Sequence, residues 1–246
     1  MSTTTRYRDT TSENRTISHA MNRKIIEEKA RALQFEIWHQ RAILFPWGEP
    51  SLQKMFRPEV AARVLQLEID YQADLGTVGI GKAAFTIAGI LDRTRGVISI
   101  SNRFNEQAMR FTGAHEVGHF MLHPGERLHR DRPLTLGDIG HGRSPIEREA
   151  DYFAACFLAP RKLNEQEFEL RFGNWPLHLN DTVAYYLMGE KVDELMGAPS
   201  GSLDFATAVS AARRFNGRRF ASLADCFGIS INAMAIRLQE LGLVDS

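Results

Sequence analysis

The run Phe111-Thr112-Gly113-Ala114-His115-Glu116-Val117-Gly118-His119-Phe120-Met121-Leu122-His123 restricts what this chain can form more than any other stretch. Small and apolar residues surround two histidines and a glutamate, which describes a helix buried on most sides. Residues four apart lie one turn above each other, so His115 and His119 share a face and can bind a single ion. Glu116 points roughly 100° round the helix, beside such an ion rather than onto it. From there it can accept a proton from water that the ion activates. Ionisable groups buried in apolar surroundings are costly unless paired or bound to metal. The spacing therefore predicts a metal centre with Glu116 as general base.

The 246 residues carry a formal charge of zero and are 43% hydrophobic, which suits one sizeable soluble domain with a smaller one. A neutral chain has no electrostatic basis for coating nucleic acid. Cys156 and Cys226 sit far apart in apolar helical patterns, as reduced core thiols do. No apolar run reaches membrane-spanning length, and the N-terminus lacks the apolar stretch of a signal peptide. A cytoplasmic protein without membrane contact is expected.

Residues 1–19, rich in Ser, Thr and charge with no period, read as a disordered N-terminal segment. From about Ala20 a helical stripe appears (Ile26, Ala30, Leu33, Ile37) and ends before the turn Pro46–Pro50. A short helix is expected over Pro58–Leu65, with Pro58 in its first turn. Leu65, Leu67, Ile69 and Tyr71 then alternate with polar residues, as in a half-buried strand. Phe85–Leu91 and Val97–Ser101, joined by Asp92-Arg93-Thr94-Arg95-Gly96, read as a β-hairpin. Beside a metal-binding helix, an edge strand could hold an extended peptide by backbone hydrogen bonds. The irregular stretch from Pro124 to Pro145, with His129 and His141, has the length of either a flap over a cleft or a mobile insertion.

A catalytic zinc needs a third protein ligand and an open position. The metzincin arrangement would place Gly at 122 and His at 125, where this chain has Leu122 and Gly125, so that class is excluded. The segment Ile146–Leu158 is the better source. As a helix it gathers Ile146, Ala150, Phe153, Ala154, Phe157 and Leu158 into one apolar arc, with Arg148 opposite. Glu147 and Asp151 fall inside or at the edge of that arc, and Glu149 lies towards the other margin. Two like charges one turn apart on a buried face are unfavourable as packing. The conflict is resolved if Glu147 binds the ion and Asp151 accepts a hydrogen bond from a ligand histidine. Glu149 is the alternative ligand.

The two blocks together form the HExxH…ExxAD signature of gluzincin peptidases. Arg110–His119 with Leu122-His123, followed by Glu147-x-x-Ala150-Asp151-x-Phe153-Ala154-Ala155-x-Phe157-Leu158-x-Pro160, resembles the ImmA/IrrE family of metallo-endopeptidases over roughly residues 25–165. The resemblance implies an α+β, zincin-like metallopeptidase domain at residues 20–175, with a small mixed or antiparallel sheet and active-site helices. It implies Zn2+ on His115, His119 and Glu147, Glu116 as base, and a cytoplasmic enzyme whose protein substrate is a helix-turn-helix repressor. His123, His129, His141 and Tyr152 are candidates for steadying the oxyanion. His123, one turn beyond His119, reads rather as a support of the site. The chain ends at Ser246, so the additional sensor-like domain of some members is not expected.

Residues 176–246 read as a helical C-terminal region. Asp181–Met196 has a helix start at Asn180/Asp181 and a stop at Gly197, and a helical run over Phe205–Phe215 follows. Leu223, Ala224, Gly228, Ile229, Met234, Leu238 and Leu241 are spaced like a helix-turn-helix core, and Arg213, Arg214, Arg218 and Arg219 could meet phosphates. One rival reading is thus a DNA-binding regulator that retains a zincin fold. Net neutrality opposes it, and a trihelical core used for packing or substrate docking is the preferred reading. A second rival, an inactive protein with a structural zinc, is opposed by the intact Glu116.

Overall fold

The computed structural model describes residues 10–48, 50–78, 85–125, 128–131 and 144–245. The chain opens with α1 (Thr10–His39), α2 (Arg41–Leu44), α3 (Leu52–Met55) and α4 (Pro58–Val64). Strands β1 (Glu68–Gln72), β2 (Thr77–Val78), β3 (Phe85–Thr86), β4 (Gly89–Asp92) and β5 (Val97–Ser101) follow. Then come α5 (Glu106–Leu122), β6 (Leu128–Asp131), α6 (Pro145–Leu158) and α7 (Arg161–Phe172). The remainder holds β7 (Leu177–His178), α8 (Asp181–Met188), α9 (Val192–Met196) and α10 (Asp204–Ala211). It closes with β8 (Arg214–Phe215), β9 (Arg218–Arg219), α11 (Leu223–Phe227), α12 (Ile231–Leu241) and β10 (Val244–Asp245). This is an α+β architecture with a helical C-terminal part, as expected.

The larger sheet runs β1-β5-β4-β6, with β1 parallel to β5 and the other neighbours antiparallel. The β4–β5 hairpin sets Gly89 opposite Ile100 and Leu91 opposite Ile98. Its turn is held by the Asp92 carboxylate, which accepts from the Thr94 and Arg95 amides. Helix α5 lies between this hairpin and α6, which buries Ala114, His115, Glu116 and Val117 completely. The Asn105 side chain caps its start by accepting from Ala108 N at 2.9 Å. At its other end Arg93, from the hairpin turn, donates through Nη2 to the carbonyls of His119, Phe120 and His123 at 2.6, 3.1 and 2.9 Å. A helix end leaves its last carbonyls short of intrahelical partners, and of these three only His119 O also accepts an amide of the helix cap, that of His123. The α1 stripe Ile26, Ala30, Leu33 and Ile37 is buried as its spacing predicts, and Gln34 donates to the last carbonyls of α6 at Cys156 and Phe157.

Several boundaries differ from the sequence expectation. Helix α1 starts at Thr10, so residues 10–19 are helical rather than part of a disordered segment, while residues 1–9 lie outside the described residues. Extending a helix avoids the cost of nucleating one, so a polar stretch without an apolar period can continue a helix that is packed further on. The strand expected from Leu65 begins at Glu68, because Leu65 ends α4 and Gln66 takes a φ of 59°. Phe85–Leu91 is divided, with β3 on β2 and β4 in the larger sheet. The Pro124–Pro145 stretch contributes β6, which covers the side of β4 that would have been a free edge; residues 126–127 and 132–143, including His141, lie outside the described residues. Gly189, with φ 64°, divides Asp181–Met196 into two helices. The helix from Asp204 stops at Ala211, and Asn216-Gly217, with φ 45° and 75°, turns the chain between β8 and β9.

Helices α11 and α12 join through Gly228, each capped by a serine (Ser222 and Ser230). Most of α12 is buried, and Arg237, 1% exposed, anchors it: Nε donates to Ala159 O at 3.2 Å and Nη1 meets Glu240 Oε2 at 3.4 Å. Burial holds the Glu240 carboxyl above its usual range, against the pull of Arg237. Removing one side of a buried ion pair takes away compensation for the other charge, here leaving Glu240 with Arg23 at 3.3 Å, so Arg237→Ala is expected to lower unfolding free energy by about 3 kcal/mol, read by urea denaturation. Burial likewise pushes the Cys156 thiol up to about 11. It should therefore resist alkylation at pH 8 in the native protein and react on unfolding, as thiol counting by mass would show. Among the described residues no helix is long and apolar enough to cross a membrane.

Candidate metal centre

Helices α5 and α6 meet at Gly118, where an added Cβ would lie 3.1 Å from Ala150 O and from the Phe153 ring. With no side chain between them the backbones come close, and the ionisable faces of the two helices confront each other. His115 Nε2 and His119 Nε2 stand 2.9 Å apart. Glu147 reaches in from α6, with Oε2 3.3 Å from His115 Nε2 and Oε1 3.7 Å from His119 Nε2. A tetrahedral ion with bonds of about 2.0–2.1 Å separates its donors by roughly 3.3 Å, a value these spacings bracket. Two imidazoles and one carboxylate, converging from a nearly water-free wall, make a donor set that fits a metal ion.

Behind the first imidazole, Asp151 Oδ1 lies 2.9 Å from His115 Nδ1. A carboxylate only accepts, so Nδ1 carries the proton and the Nε2 lone pair faces the shared centre. Glu149 is directed elsewhere, with Oε2 3.0 Å from His123 Nε2, while His123 Nδ1 lies 3.0 Å from His119 Nδ1. Glu116 is fully buried and packs against the start of β4. A Cβ at Gly89 would stand 2.7 Å from Glu116 Oε1 and 2.6 Å from Thr112 Cγ2.

Of the candidates for an oxyanion donor, Tyr152 is excluded by position. Its hydroxyl donates to Glu27 at 2.5 Å, and Arg23 and Arg237 flank its ring, on the side of α6 that faces α1. His129 is in β6, opposite Leu91, and His141 lies outside the described residues. Sequence reading did not find Gly89 or Arg93. A glycine in a strand signals close approach of another element, which was available for Gly89; an arginine in a polar turn carries no such signal.

Residues 78–173, which hold both helices of the site, match the family model of the peptidase M78, IrrE N-terminal-like domain. Over these residues the chain is similar to that domain, which supports a metallopeptidase of the ImmA/IrrE type. No curated protein matches the chain. The donor triad lies within the matched residues, and a peptidase acts on a protein or peptide substrate. Gly89→Ala is expected to leave metal content unchanged while displacing Glu116, lowering peptidase turnover by about 100-fold, as a misplaced reacting group does. Metal analysis alongside a cleavage assay checks both halves.

Proposed function

We propose that the chain is a zinc-dependent endopeptidase of the cytoplasm that cleaves a partner regulatory protein, with a helix-turn-helix repressor as the substrate class. In this reading residues 20–175 are the peptidase unit and residues 176–246 a helical region that packs against it. His115, His119 and Glu147 would hold the zinc, and Asp151 would keep His115 in the tautomer that ligation needs. Bound zinc supplies a Lewis acid that activates water and polarises the scissile carbonyl. Glu116 takes the proton from the attacking water and passes it to the leaving amine.

The observation that carries this reading is the convergence of three donor atoms from two helices, with the buried Glu116 next to His115 in the chain. A purely structural metal has no use for such a base. The repressor substrate rests on the family resemblance. The exposed arginines of the β8–β9 hairpin are what favours the rival, a DNA-binding regulator. Helix α12 speaks against it, because the helix that would read base edges is buried along most of its length and exposes Ile231 and Gln239.

Glu116→Gln is expected to keep zinc while cleavage of a co-encoded repressor falls by about 10²–10⁴-fold. Unchanged cleavage would overturn the mechanism, and a salt-dependent shift of duplex DNA would favour the rival. At saturating metal, Glu147→Ala should lose stoichiometric zinc and Glu149→Ala should keep it; the reverse result would move the third ligand to Glu149.

A further inference from the structure

Asp151 accounts for the orientation of His115, and His119 is met by a different group. Its Nδ1 instead meets Nδ1 of His123 at 3.0 Å, and the other nitrogen of His123 meets Glu149 Oε2 at 3.0 Å. The three side chains form a line from α6 to the nitrogen that faces Glu147. His123 is well placed to sit in the middle of it. It caps α5, its own carbonyl accepts from Arg93 at 2.9 Å, and its side chain is 11% exposed.

Hydrogen-bond chemistry allows one assignment along this line when His123 is neutral. The Glu149 carboxylate only accepts, so His123 Nε2 carries the proton and its Nδ1 has only a lone pair. His119 Nδ1 must then donate, which leaves the His119 Nε2 lone pair turned towards His115 and Glu147. That is the form a metal ligand requires. We propose that Glu149 and His123 form a relay that fixes the tautomer and orientation of His119 and strengthens it as a donor to zinc. Both imidazoles of the site are then backed by a carboxylate of α6, His115 directly by Asp151 and His119 through His123. Glu149 and His123 are positioning residues that touch neither metal nor substrate. The inference rests on the zinc-site reading given above. The competing view is that His123 and Glu149 merely fasten the end of α5 to α6, which would affect folding stability and leave metal affinity alone.

Zinc affinity measured by chelator competition, with unfolding of the metal-free protein in parallel, separates the two. His123→Ala and Glu149→Ala are each expected to weaken zinc binding by roughly 10–100-fold. The double variant should lose no more than His123→Ala alone, because a chain is broken once. Asp151→Asn combined with His123→Ala should show multiplied losses, since the two act on different imidazoles. Glu149→Gln keeps an accepting oxygen without the charge and should fall between wild type and Glu149→Ala. Wild-type affinity in His123→Ala, or multiplied losses in the His123→Ala, Glu149→Ala pair, would overturn the relay. Should His123→Ala fail to fold, NMR of isotope-labelled histidines in the zinc-loaded wild type decides. The neutral Nε2–H form of His123 is expected, and the Nδ1–H form overturns the proposal. A wild-type protein that binds no zinc would overturn the metal site itself, a failure distinct from zinc bound with an unaltered His123→Ala affinity.

Discussion

At Gly118 the backbones of α5 and α6 stand so close that a methyl group would press on Ala150 O, Ala150 Cα and the Phe153 ring. Helix pairs normally keep their axes 8–10 Å apart according to the side chains between them, and here one of those side chains is missing. The approach has a chemical consequence. His115 and His119 occupy one face of α5, and Glu147 occupies one face of α6; the separation of the helices decides whether their donor atoms converge. Spacings of 2.9, 3.3 and 3.7 Å between them suit atoms that could share a single ion. Two buried imidazoles, the buried Glu116 and the half-buried Glu147 are costly to hold at this contact without a compensating positive charge.

The elements around this contact fix it in place more than they fill space. Arg93 holds the last carbonyls of α5, Gln34 those of α6, and Asn105 the first amides of α5. Each satisfies groups that a helix terminus leaves open, and each comes from a different segment, so the ends of the two site helices are defined by the hairpin turn, by α1 and by the loop before α5. The C-terminal helices add a further tie through Arg237, which joins α12 to Ala159 just after α6. Glu116 is located by the sheet: Gly89 lets β4 lie against it, and a larger residue there would occupy the space of the carboxylate.

Much of this was legible from residue spacing. The His115–His119 pair, the apolar frame of α5, the α1 stripe and the placement of Glu147 and Asp151 on one arc of α6 all follow from the helical repeat, a local property. The β4–β5 hairpin was legible from its turn residues. Errors gathered where local signals were weak or where a partner decided the outcome. The polar residues 10–19 gave no period, yet they continue α1. Tyr152 shares α6 with Glu147 but faces α1, and only the packing of α1 on α6 shows which side of the helix is occupied by what. β6 took up the edge of β4 through a pairing between segments far apart in the chain, which no local pattern announces.

The sequence by itself determined which side chains are available to hold a metal and which of them lie on a common helical face, because those relations depend on rotation per residue within one element. It left Glu147 and Glu149 as alternatives, since both lie on margins of the same helix about 200° apart. Only the tertiary structure decided between their positions, setting Glu147 against His115 and His119 and Glu149 against His123. The physical reason is that a donor's reach is set by the distance and crossing of two helices. That distance comes from packing at Gly118, at Gly89 and along α1, contacts between residues whose separation in the chain carries no information about their separation in space.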